Sequence, residues 1–138
     1  MAITGFTISN VEGSIKSVDL LSKQTFPKLN ISLDSVNSDG AKIKVSYTFI
    51  ADYSENGKAE SSVGQLKLGG AVEITETKET VAAIMKRWND KKTLPVEVAE
   101  EVINGLNFRC SATGTLLAYA LGLIPPLVIS TTKIQEPK

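Results

Sequence analysis

An α+β domain, a four-stranded antiparallel sheet followed by one short and one long helix, is the fold class this sequence predicts. Two observations carry it. Apolar residues alternate at period two before residue 76 and recur at helical spacing after it. Turn-forming residues, Asn37-Ser38-Asp39-Gly40 and Ser54-Glu55-Asn56-Gly57, divide the first part into strands joined by sequential antiparallel hairpins. The 138 residues suit a single domain, 1–138, long enough to bury a core without disulfides or metal.

The first strand covers about residues 11–21. Val11 and Ile15, then Val18 and Leu20, alternate, and the change of phase between the pairs predicts a bulge or bend. The second is short, residues 29–33. Phe26-Pro27 precedes it, and since proline stops a strand from simply continuing, a connecting segment containing Phe26 separates the two. The third is the clearest, with Ile43, Val45, Tyr47 and Phe49 on one face and Lys42, Lys44, Ser46 and Thr48 on the other. The fourth, residues 61–75, keeps Leu66, Leu68, Val72 and Ile74 in phase around Gly69-Gly70. Paired glycines inside a strand mark a bulge or a close backbone approach.

Val81, Ile84, Met85 and Trp88 then define a short amphipathic helix, with Thr77 or Thr80 as its cap and residues 89–92 breaking the pattern. Pro95 suits the first turn of a second helix, where a missing N–H costs nothing. Its apolar stripe runs Ala99, Val102, Ile103, Leu106, Cys110, Thr113, Leu117, Ala120, Leu121 and Ile124, ending before Pro125. Glu97, Glu100, Glu101 and Arg109 charge the first half. The second half is uncharged all round, which predicts burial on several sides. Residues 112–129 approach the length of a membrane span, but Thr113, Gly114, Gly122 and Pro125-Pro126 interrupt them, so a buried helix and no membrane span is the reading. An apolar tail, 127–131, is expected to dock on the sheet or a second subunit, and residues from Gln135 to fray.

Composition excludes several function classes. Fifteen basic residues balance fifteen acidic ones, so the field that favours nucleic-acid backbones is missing. The single cysteine, Cys110, permits no intrachain disulfide and suits a reducing compartment, while residues 1–13 lack the layout of a secretory signal; cytoplasm is the expected location. No histidine is present, which removes the usual general base, the commonest zinc ligand and every Ser-His or Cys-His pair. Cys110 falls on an apolar stripe, the three glutamates complement a helix N-terminus, and Gly64 with Gly69-Gly70 opens no phosphate loop. The reading is a non-enzyme without cofactor or metal. Trp88, Tyr47, Tyr53 and Tyr119 are read as core aromatics unless they act together on a ligand. What stays unexplained is a surplus of apolar surface around Phe26, Leu29, the long helix and the tail, the mark of an oligomer interface or an apolar groove.

The order of elements resembles the export chaperone SecB and its SecB-like relatives. The local similarity is strongest in Gln65-Leu66-Lys67-Leu68-Gly69-Gly70-Ala71-Val72-Glu73-Ile74, which looks like the family's glycine-pair strand. It continues through Leu94-Pro95 and Glu100-Glu101-Val102-Ile103 and extends over most of residues 8–130. The resemblance implies a crossover between strands 1 and 2 and a homodimer or a homotetramer built as a dimer of dimers. It also implies apolar grooves that hold unfolded or partly folded client polypeptide, including a dedicated client such as an antitoxin. Carried over residue by residue, Phe26 and Leu29 in the crossover, with Leu116, Tyr119 and Leu123 on the long helix, become the candidate groove; subunit packing is the alternative role of the same side chains. Bacterial SecB is markedly acidic and docks the SecA motor through acidic sheet residues. This chain is neutral and carries Lys42 and Lys44, which departs from that pattern. The expected function is an ATP-independent holding chaperone. The competing readings are a helix-grip carrier of a small hydrophobic ligand, for which four strands are few, and a structural oligomeric subunit with no groove left open.

Overall fold

The computed structural model describes residues 2–56, 58–127 and 134. Its elements are β1 (Ala2–Ile15), a 3-10 helix (Val18–Lys23), β2 (Lys28–Asp39), β3 (Lys42–Glu55), β4 (Lys58–Thr75), α1 (Lys78–Lys91) and α2 (Val96–Leu121). The strands form one antiparallel sheet in the order β1-β4-β3-β2. Two consecutive hairpins link β2, β3 and β4, and the chain leaving β1 crosses to the far edge to begin β2. The α+β class with a crossover between strands 1 and 2 is therefore the observed one.

The central strands behave as their alternation predicts. Ile43, Val45, Tyr47, Phe49, Ala51 and Tyr53 of β3 are buried, as are Leu66, Leu68, Val72 and Ile74 of β4. Each large apolar side chain removed from water in this way contributes roughly 1.5–3 kcal/mol. The edge strands are longer than alternation suggests, and bulges are the reason. Cross-strand partners Ile3↔Ile74, Phe6↔Val72, Ile8↔Gly70 and Val11↔Leu68 place Ile3, Phe6, Ile8 and Val11 on the core face, with register shifts at Thr4 and Ser9. β1 thus begins at Ala2, and the phase change noted between Ile15 and Val18 is the end of the strand and the start of the 3-10 helix. β2 likewise continues past Leu33 through a register shift at Asp34, beyond which Val36 returns to the core. The Asp34 carboxylate accepts hydroxyl hydrogen bonds from Ser32 at 2.8 Å and Thr48 at 2.6 Å, giving the bulge polar partners on the outer face.

Gly69-Gly70 meets both expectations for a glycine pair, since the β1 bulge lies opposite it and β1 comes close. A Cβ on Gly70 would stand 1.8 Å from the Thr7 carbonyl oxygen, and that oxygen accepts a 2.9 Å hydrogen bond from the Tyr47 hydroxyl. At the turns, Gly40 (φ 62°) and Asn56 (φ 48°) take the left-handed conformations that their residue types allow.

Thr77 caps α1, its side-chain oxygen accepting the Thr80 N–H at 3.2 Å. α1 runs on through residues 89–91, which keep helical geometry although their side chains are polar, and stops at Lys92 in the left-handed region. Pro95 is the N-cap of α2 and Gly122 (φ 76°) its C-cap. Both helices cover one face of the sheet, α1 over β2 and α2 over β1 and β4.

The buried stripe of α2 is Val98, Val102, Leu106, Cys110, Gly114 and Ala118, with Ser111 beside it. Burial of the uncharged half on several sides is not what forms: Thr113 and Leu117 are half-buried and Ala120 is exposed, whereas small residues face the sheet. A Cβ on Gly105 would stand 2.5 Å from the Phe6 ring, and one on Gly114 2.9 Å from Pro126, so the helix lies too close to its neighbours for large side chains there. No described helix is long and apolar enough to cross a membrane.

Candidate functional site

The crossover is held against the end of α2 by one side chain. The Gln24 amide donates to the Leu21 and Gly122 carbonyls, each at 2.9 Å, and its oxygen accepts the Ile124 N–H at 2.8 Å. Tyr53 adds a second tie, its hydroxyl donating to the Ile124 carbonyl at 2.6 Å; burial pushes that phenol up to about 12. A surface ion pair, Lys23 to Glu55 at 3.7 Å, adds little in solvent. This bracing leaves an open cleft of about 520 Å³ beside the crossover, walled by Phe26, Pro27, Tyr53, Lys16 and Lys28.

The five candidate groove residues separate into two groups. Phe26 lines the crossover cleft and is 54% exposed; Leu116 and Tyr119 stand on the outer face of α2, each 73% exposed. Leu29 packs half-buried against the core, and Leu123, turned inward by Gly122, is 4% exposed. Leu116 and Tyr119 do not line the cleft that Phe26 lines.

Sequence reasoning passed over Phe108, which is 74% exposed and shares the outer face with Ala112, Leu116 and Tyr119 at spacings of three and four. The charge of the neighbouring Arg109 masked it, and Arg109 itself lies over the Phe6 ring at 4.3 Å. A second cleft also went unseen. It measures about 330 Å³ and is lined by Leu33 of β2, Trp88 of α1, Leu94 between the helices and Ala99 of α2. Of the aromatics noted from sequence, Tyr47 and Tyr53 are buried, Trp88 is half-buried in this cleft and Tyr119 faces outward. The spacing of Trp88 and Lys92, whose ammonium lies 6.0 Å from the indole centroid, was the available signal.

Cys110 is buried at the sheet, and burial pushes its thiol up to about 11, away from the reactive thiolate. Among the described residues no three acidic, cysteine or histidine side chains gather to hold a metal ion. Leu127 is 56% exposed; the rest of the expected docking tail, 128–131, and the expected frayed end lie outside the described residues.

No protein-family model matches the sequence, and no curated protein does. A solved structure does match: the Mycobacterium tuberculosis Rv1957 SecB-like chaperone, in complex with a ChAD peptide from the HigA1 antitoxin. It superposes with a TM-score of 0.59 over 99% of this chain and 91% of the other, at 13% identity. The fold is SecB-like. Within a SecB-like frame the crossover segment, the β1 edge and the outer face of α2 are the surfaces left uncovered by the chain's own core, and they carry the exposed apolar residues Val11, Phe26, Phe108, Leu116 and Tyr119.

Proposed function

We propose that this protein is an ATP-independent holding chaperone that binds unfolded or partly folded polypeptide on apolar surface. The observation that carries the reading is the outer stripe of α2, where Phe108, Leu116 and Tyr119 are each nearly three-quarters exposed on a helix whose other face already fills the core. Isolated exposed apolar residues are ordinary, but a repeated stripe on an ordered helix marks an interaction surface. A SecB-like relative solved with a peptide bound supports polypeptide as the ligand class.

In this proposal Phe26, Leu116 and Tyr119 touch the partner chain, while Leu29 and Leu123 back that surface from within. Apolar burial, at about 25 cal/mol per Å², provides affinity without demanding one sequence. Part of the same surface is taken up by a second copy, giving a homodimer or homotetramer, with β1 offering an unpaired strand edge. A reduced, cytoplasmic location follows from the lone cysteine. A helix-grip carrier fits less well, because α2 packs directly onto the sheet through Val102, Leu106 and Cys110, each fully buried.

Size-exclusion chromatography with light scattering, without nucleotide, tests the proposal. A dimer or tetramer should co-elute with a reduced, unfolded polypeptide and ignore its folded form. The L116D/Y119D variant should keep its fold and lose that capture. A monomer indifferent to unfolded chains overturns the reading, and an inert oligomer replaces it with a structural subunit.

A further inference from the structure

The cleft between the two helices and β2 is already occupied in part by the chain itself. Ile134 lines it together with Leu33, Trp88, Leu94 and Ala99 and is half-buried there. Its backbone N–H donates to the Glu100 carboxylate at 2.8 Å, a charge-assisted bond in a partly buried setting. An aliphatic side chain in an apolar cleft and a main-chain donor read by a fixed acceptor are the two contacts by which a protein recognises one residue of a bound peptide. The remaining walls suit that role: the indole of Trp88 and the side chains of Leu33 and Leu94 give apolar contact, while Glu100 sits one residue beyond Ala99 on α2.

We propose that this cleft is a subsite for one aliphatic residue of a peptide and that Ile134 occupies part of it in cis. Ile134 lies seven positions beyond Leu127 in the same chain, so its binding to the cleft is intramolecular. An intramolecular ligand of this kind acts at an effective concentration on the order of millimolar. Contacts too weak to bind in trans below about 0.1 mM therefore keep Ile134 seated for most of the time. The second part of the inference rests on the chaperone reading: a client reaching this cleft must displace Ile134, so the chain's own segment sets a threshold that weak apolar contacts do not pass.

Trp88 is the single tryptophan and lines the cleft, which gives a direct readout. In full-length Ile134→Asp the Trp88 emission should shift to longer wavelength, and a peptide with the sequence of residues 130–138, added in trans, should reverse the shift saturably. The same peptide carrying aspartate in place of isoleucine should bind about tenfold more weakly, and Ile134→Val should retain the parent spectrum. Circular dichroism checks that the variant is folded. Emission unchanged in Ile134→Asp, or trans peptides that bind equally with either residue, overturns the subsite. An unfolded, tryptophan-free polypeptide should bind Ile134→Asp about tenfold more tightly than the parent. Equal affinity for both overturns the competition, whereas peptide binding with no binding of any unfolded chain leaves the subsite standing and sinks the holding function instead.

Discussion

From Phe108 onward both faces of α2 are largely apolar, yet there they are built from residues of different size. The inner face runs Val98, Val102, Leu106, Cys110, Gly114 and Ala118, tapering toward the C-terminus as the helix closes on β4 and Pro126; the outer face carries Phe108, Leu116 and Tyr119. Hydrophobicity therefore does not tell inside from outside on this helix. Size does, because interiors are close-packed and a narrow gap between helix and sheet admits only small side chains, while bulk left outside must find another partner.

Exchanging one leucine for alanine on each face gives the widest separation. Leu106→Ala, in a fully buried position, should cost about 2–5 kcal/mol of unfolding free energy. Leu116→Ala should stay within about 0.5 kcal/mol per folded chain and weaken capture of unfolded polypeptide instead. Urea titration of both variants, at a protein concentration low enough that the chain is monomeric, measures the contrast; equal costs would erase the distinction between the faces.

The inner face also answers to pH. Burial raises the Cys110 thiol from an ordinary 9.0 to about 11, so the folded state holds its proton more tightly than the unfolded chain does. That contribution to stability is complete below pH 9 and is lost as pH rises through the folded value, up to about 3 kcal/mol in all. Tyr47, buried beside it and raised to about 12, follows the same sign from its ordinary 10.0 upward, which leaves the interval from pH 9 to 10 chiefly to Cys110. Unfolding midpoints between those pH values should fall in the parent and fall less in Cys110→Ala. Parallel declines would mean that another group dominates.

A smaller effect tests the taper itself. Gly114→Leu places bulk where a single Cβ already stands 2.9 Å from Pro126 and should cost about 1–3 kcal/mol, seen as a lowered thermal midpoint. Ala112→Leu, on the exposed face, should leave the midpoint nearly unchanged.

Legibility in the sequence followed the regularity of each element. β3 and the inner half of β4 read correctly because Ile43 to Tyr53 and Leu66 to Ile74 keep strict alternation against two paired neighbours. β2 was foreshortened and β1, expected at about 11–21, was set too late, because bulges at Thr4, Ser9 and Asp34 break the period and residues 18–21 belong to the 3-10 helix. Of the candidate surface, Phe26, Leu116 and Tyr119 are exposed. Leu29 and Leu123 turn inward, the latter because Gly122 reverses the chain at a left-handed cap. Ile134 gave no local signal at all, since one isoleucine among polar residues has no period.

The sequence by itself determined the order of strands and helices, the antiparallel turns and the buried thiol, because period, turn chemistry and composition are local properties that act before any contact forms. Only the tertiary structure decided that β1 pairs with β4, which face of α2 meets the sheet and that Ile134 reaches the cleft beside Trp88. Those are choices among surfaces of similar hydrophobicity, and they are settled by shape: where a Cβ fits, where a bulge turns an edge, and which gap is left for a side chain brought from far along the chain.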